Sequence, residues 1–248
     1  MLINQKSYED ERVKLLMKKN LSTLILAFIS TILFFMVFKE DNSKLSLFLI
    51  VMPYNIFSLA RHIVGKYFWD AEEKKEITDY SKWENTYAFL TLGAGLSFGF
   101  MNYWCFSTTE YLTQTFCIAM TLGFTSGAIN TYSASMRTVT SYTLPSLLFL
   151  ILAFIFKGGE NVHYILSVMT FLFFLNGTRG SKNINEMINK QVQNKLNSIQ
   201  TSKMGALGEM ASGMAHEINN PLTIITGQIK YLEKVLDSDQ FDKQIVKE

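Results

Sequence analysis

Three histidines occur, His62, His163 and His216, and of these His216 stands in a motif with a carboxylate and an amide. Glu217 follows it directly, and Asn220 lies one helical turn further on, just before Pro221. Imidazole changes charge near neutral pH, so it can act as nucleophile, general base or metal ligand. A zinc-protease reading needs a second histidine four residues on, in H-E-x-x-H; position 220 is Asn, which removes it. What remains is a histidine with an adjacent carboxylate and, on the same helix face, an amide. Pro221 lacks a backbone donor and predicts a bend just after the histidine. His62 and His163 lie at the ends of apolar runs without a partner motif, so packing or interfacial roles are expected for them. Cys105 and Cys117 lie in apolar stretches without metal-ligand spacing and read as small buried hydrophobes.

A helix has to present this group. From about Ser181 to Leu236 the chain is polar with regular apolar positions. Ile184, Ile188, Val192, Leu196 and Ile199 form one series. Leu207, Ala211, Met214, Ile218, Leu222, Ile225, Ile229, Leu232 and Leu236 form a second. Steps of three and four make a coiled-coil or bundle seam. At about 100° per residue, Met214 and Ile218 point to that seam and His216 points away from it.

The preceding chain is of another kind. The 248 residues are 48% hydrophobic, 14% aromatic and only 18% charged, with 20 Phe and 11 Tyr, a composition expected of a membrane protein. A bilayer core takes about 20 apolar residues per helix, and six runs qualify: Leu21–Phe38, Leu45–Val64, Tyr87–Phe106, Tyr111–Ile129, Val139–Phe156 and Val162–Gly177. None has a charge near its centre, which speaks against an ion-coupled transporter or channel. Arg61 and Glu110 lie near run ends, from which long side chains reach the interface. Pro53 and Pro145 predict tolerated kinks. Tyr103, Trp104, Tyr111, Tyr132 and Tyr142 read as interfacial aromatics. Gly95 with Gly99, and Gly123 with Gly127, have the small-xxx-small spacing that permits close helix contact, within the chain or between copies.

Lysine and arginine placement sets the orientation. Lys6, Arg12, Lys14, Lys18 and Lys19 precede the first run, and Arg61, Lys66, Lys74, Lys75 and Lys82 flank the second loop. Arg137 marks the fourth loop, whereas the first carries Lys39 and Lys44, the third no basic residue and the fifth only Lys157. Both termini are therefore expected in the cytoplasm, with short outer loops. The first apolar run ends in Lys39-Glu40-Asp41 and not in small residues, so no cleavable signal is expected.

The segment Met204-Gly-Ala-Leu-Gly-Glu-Met-Ala-Ser-Gly-Met-Ala-His-Glu-Ile-Asn-Asn-Pro-Leu222 resembles the H-box of the HisKA-type dimerisation and phosphoacceptor domain of two-component sensor histidine kinases. The resemblance covers Ser202 to the end and rests on Leu207-Gly208-Glu209, Ala211 and His216-Glu217-Ile218-Asn219-Asn220-Pro221-Leu222. It implies that His216 attacks the γ-phosphoryl group of ATP, forms a phosphohistidine and passes the group to an aspartate of a response regulator. Glu217 would act as general base or orient the imidazole, and Asn220 would serve phosphotransfer geometry and hydrolysis of the phosphorylated regulator. Pro221 would mark a structural bend where signal-dependent motion is expected. The resemblance also implies a homodimer through the helical bundle and a bacterial inner-membrane location; membrane lipid is a partner and nucleic acid is not.

The expected architecture is all-α: a cytoplasmic tail over 1–20, a six-span membrane sensor over 21–177, a linker helix over 178–201, and an incomplete phosphoacceptor segment over 202–248. That last segment would be the first helix of a dimeric four-helix bundle. The family's ATP-binding domain, with its Asn-containing and glycine-rich boxes, is not among these residues, so ATP with Mg is expected to bind outside this chain. The alternative is a non-catalytic membrane partner that dimerises with another kinase or is phosphorylated by it.

Short outer loops leave the membrane domain to receive the input, and a small membrane-permeable signal suits that. Asn55, Asn102, Gln114, Thr121, Thr125, Ser126, Ser141, Thr143 and Ser146 could line a ligand pocket or bond between helices. The layout, though no motif, is similar to that of quorum-sensing histidine kinases that detect α-hydroxyketones.

Overall fold

A computed structural model describes residues 2–18, 20–38, 44–106, 111–158 and 161–237. The described residues form helices α1 (Leu2–Met17), α2 (Asn20–Phe38), α3 (Lys44–Glu73), α4 (Tyr80–Cys105), α5 (Tyr111–Tyr132), α6 (Met136–Ala153) and α7 (Asn161–Asp237), with a π turn over Phe154–Gly158 and no strand. Lys19, Lys39-Glu40-Asp41, Glu110 and 238–248, each used in the sequence reading, lie outside the described residues. The chain divides into two units, 1–193 and 194–248, and α7 contributes to both.

Among the described residues, four stretches are long and apolar enough to cross a membrane: Tyr8–Phe38, Lys44–Glu73, Tyr111–Tyr132 and Met136–Lys157. The two other expected spans also fall on helices, in α4 and at the start of α7, but are less apolar than these four. For α4 the reason is its position. It packs most extensively against α6 and α3 and also touches α1 and α5. A helix covered by protein needs no apolar face toward lipid, and its buried polar groups find partners at home. Thr91 donates to the Tyr87 carbonyl at 2.7 Å, and Asn102 to that of Phe98 at 2.8 Å.

Close approach of α4 to α6 depends on two glycines. A Cβ on Gly95 would lie 2.7 Å from the Tyr142 carbonyl oxygen, and one on Gly99 2.9 Å from that of Pro145. This small-xxx-small pair is thus consumed within the chain. Pro53 and Pro145 both sit inside continuous helices. The Ser146 hydroxyl faces the Gly95 carbonyl at 3.3 Å across this contact, and Asn55 bonds Thr31 at 2.8 Å between α3 and α2.

Within the expected tail, Leu2–Met17 is helical as α1 and docked: Val13, Leu16 and Met17 are buried on one face. One end of the first unit gathers α1 with the α3–α4 connection, the α5–α6 turn and part of α7. The other end holds Lys157, which donates to the Tyr103 carbonyl at 2.7 Å and lies over that ring, and His163, 3.3 Å from Gln114. Cys105 and Cys117 are buried free thiols.

Candidate functional site

His216, Glu217, Asn220 and Pro221 all lie on α7 in the second unit, and all are exposed. The helix continues through Pro221, and Thr223 donates to the Asn219 carbonyl at 2.8 Å in the adjoining turn. Every residue from 197 to 234 is exposed, so the seam residues lie uncovered: Met214 is 59% accessible, Ile218 56% and Leu222 51%. The polar residues of this stretch are exposed to the same extent, so the apolar stripe is set apart here by residue type alone. The first apolar series behaves differently. Val192 is buried and Ile188 packs on the core of the first unit, so that part of the periodicity is satisfied within the chain.

Between the membrane helices and α7 lies a polar cluster that sequence reasoning did not anticipate. Glu84, buried on α4, accepts from Arg12 of α1 at 2.7 Å and from the Ser135 hydroxyl at 2.6 Å. Ser135 also caps α6, its side chain accepting from the Thr138 amide at 3.3 Å. Two residues earlier, the Ser133 carbonyl accepts from Asn185 of α7 at 2.6 Å. Lys14 meets Glu72 at 2.5 Å, and Tyr80 donates to the same carboxylate. Burial first, then this bond to Glu72, push the Tyr80 hydroxyl above its ordinary range. Two of the basic residues that signalled orientation, Arg12 and Lys14, therefore have specific acidic partners.

A cavity of about 230 Å³ opens among α2, α3, α5 and α6. Its apolar lining includes Leu26, Met120, Phe124 and Ala128, and its polar groups include Tyr54, Arg61, Tyr132 and Tyr142. The polar residues proposed from sequence as pocket candidates do not line it; those with partners bond to their own helix or across to a neighbour. Three expectations about side-chain placement are corrected here. Arg61 does not reach for the interface but turns inward, 2% accessible, donating to the Tyr132 hydroxyl and to Ser58 at 3.2 Å. Tyr132 and Tyr142, expected at the interface, are buried around it because a guanidinium inside the helices needs hydroxyl and ring partners. Tyr111 and Trp104 are exposed, as interfacial aromatics are.

Comparison with known proteins returns no match, whether to a family model, a characterised protein or a solved structure.

Proposed function

We propose that this chain is the membrane-embedded input and phosphoacceptor part of a sensor histidine kinase, with His216 as the residue phosphorylated. The observation that carries this reading is the segment from Leu207 to Leu222, in which an exposed His216 stands opposite an uncovered apolar stripe on one helix. A phosphoacceptor must be open to a mobile nucleotide domain while its helix is held by a partner, and this arrangement meets both needs. Glu217 orients or deprotonates the imidazole, Asn220 shares its face, and the stripe joins two copies into a bundle.

In this reading six helices cross the inner membrane, α4 in the middle of the others, with both termini in the cytoplasm. Support comes from the end of the first unit where Arg12, Lys14 and Arg137 collect, opposite the end where Lys157 stands. ATP and Mg belong to a catalytic domain outside these residues, and the phosphoryl group leaves to a response-regulator aspartate.

The test supplies a histidine-kinase catalytic domain in trans, with Mg and γ-labelled ATP, to vesicles holding this chain. Acid-labile, base-stable label is expected on the wild type and not on His216→Gln. Label of that kind persisting in His216→Gln would overturn the assignment.

A further inference from the structure

Arg61 is an expensive group to bury in the first unit. It is 2% accessible, its Nε has no partner, and no carboxylate pairs with it among the described residues. Its neighbours are neutral: the Tyr132 and Ser58 hydroxyls, and the Tyr132 ring with centroid 5.6 Å away. A buried charge is ordinarily compensated by an opposite one, because neutral hydroxyls recover only part of its lost hydration. Here the positive charge stands at the wall of a cavity whose remaining lining is mostly apolar.

The cavity has a side entrance. Gly123, Gly127 and Ala119 of α5, and Leu26 of α2, are lining residues that are also exposed, so the opening lies between α2 and α5 on the apolar flank of the helices. The glycines matter here in the opposite way to Gly95 and Gly99: a Cβ on either Gly123 or Gly127 would meet nothing within 4 Å. The space in front of them is empty and would be closed by any long side chain placed there.

We propose that this cavity binds a single-chain amphiphile with an anionic headgroup, of the medium-chain carboxylate class, entering sideways from the bilayer. The guanidinium fork, with Nε free, offers the geometry that a carboxylate fills with parallel hydrogen bonds. The tail would lie along Leu26, Met120 and Phe124. A volume of about 230 Å³ suits one short chain and not a two-chain phospholipid. Binding would supply the counter-charge that Arg61 lacks, and would join α3, α5 and α6 around it. That this is the receptor's input rests on the kinase reading above; binding itself does not.

The experiment uses the whole chain in phosphatidylcholine nanodiscs, where decanoate is the only added anion, and measures the saturable part of radiolabelled decanoate binding by equilibrium dialysis. Saturable binding is expected for the wild type. Gly127→Leu should abolish it while leaving Arg61 in place, and Arg61→Gln should weaken it by about tenfold or more, the scale of a lost charge-assisted contact. Decanol should compete about tenfold worse than decanoate, and decyltrimethylammonium should not compete. Absence of saturable binding, equal binding by Arg61→Gln, or decanol matching decanoate would each overturn the proposal. Melting curves in the same nanodiscs show which variants fold; should Arg61→Gln not fold, the Gly127→Leu and decanol comparisons still decide. Decanoate binding without phosphorylation of His216 would sink the kinase reading and leave the binding site standing.

Discussion

The Asn185 side-chain amide donates to the Ser133 backbone carbonyl at 2.6 Å, fastening α7 to the turn that joins α5 and α6. The same turn holds Ser135, whose hydroxyl donates to Glu84 of α4. Movement of α5 or α6 thus has a short bonded route to α7 at the place where that helix leaves the packed unit. Asn185→Leu keeps the size of the side chain and removes the bond, at a cost of about 1 kcal/mol. The expected result is faster hydrogen exchange over 181–192, where Ser181 and Val192 are buried, with little change in the centre of α4. Unchanged protection over 181–192 would show that the bond does not hold the helix.

The Arg12–Glu84 pair is a second tie, from α1 to α4, with side chains 24% and 10% accessible. Its setting lies between a surface pair, worth little, and a buried one, costly to break singly. Glu84→Gln leaves Arg12 without its charge partner and should cost about 2 kcal/mol in thermal stability. Arg12→Met combined with Glu84→Gln should cost less than the sum of the singles, since neither charge is then stranded. Strict additivity in that double-mutant cycle would mean that the two residues are not coupled.

Gly95, Gly99, Gly123 and Gly127 separate into two mechanical classes. At Gly95 and Gly99 an added methyl would lie less than 3 Å from backbone atoms of α6, so the helices must part to admit even alanine. Gly95→Ala and Gly99→Ala should each destabilise by about 1–3 kcal/mol, as overpacking does. Gly123→Ala and Gly127→Ala meet open space and should be neutral or stabilising by up to about 1 kcal/mol through helix propensity. Melting temperatures of the four variants in one detergent provide the comparison, and equal effects at all four positions would refute it.

How far these features were legible in the sequence depends on what each one obeys. Apolar run length obeys the bilayer, so all six runs proved helical, although α4 and the start of α7 are less apolar than the rest. The second apolar series on α7 obeys helical period, and the segment that carries it is a continuous helix. Inside the bundle the pattern is mute. Gly95 and Gly123 stand in the same spacing motif, yet one is pressed against α6 and the other opens onto a cavity. The difference lies in which helix is opposite, and that is tertiary information. Arg61 misleads for a related reason: at a span end it looks free to reach water, and only the arrangement of Tyr132 and Ser58 around it shows that it turns inward. The Glu84 cluster joins positions 12, 84 and 135, a separation no local motif could signal.

The uncovered stripe on α7 makes its own prediction about assembly. Met214, Ile218 and Leu222 recur at steps of four and are all more than half accessible in the single chain, while Glu209 and His216 lie on the other side of the helix. If two copies pack through the stripe, an introduced Ile218→Cys or Met214→Cys should form a disulfide with the same residue of a second copy in membranes under mild oxidation, because facing seam positions bring their Cβ atoms within bonding range. Glu209→Cys should not. The two native cysteines are buried in the membrane unit and should not contribute. Ile218→Asp should weaken association, since a carboxylate at a seam loses hydration without a partner. Dimer crosslinks from Glu209→Cys as strong as those from Ile218→Cys would place the interface on the face that carries His216. That face would then be closed to any phosphoryl donor, and the reading of His216 as an accessible acceptor would fall with it.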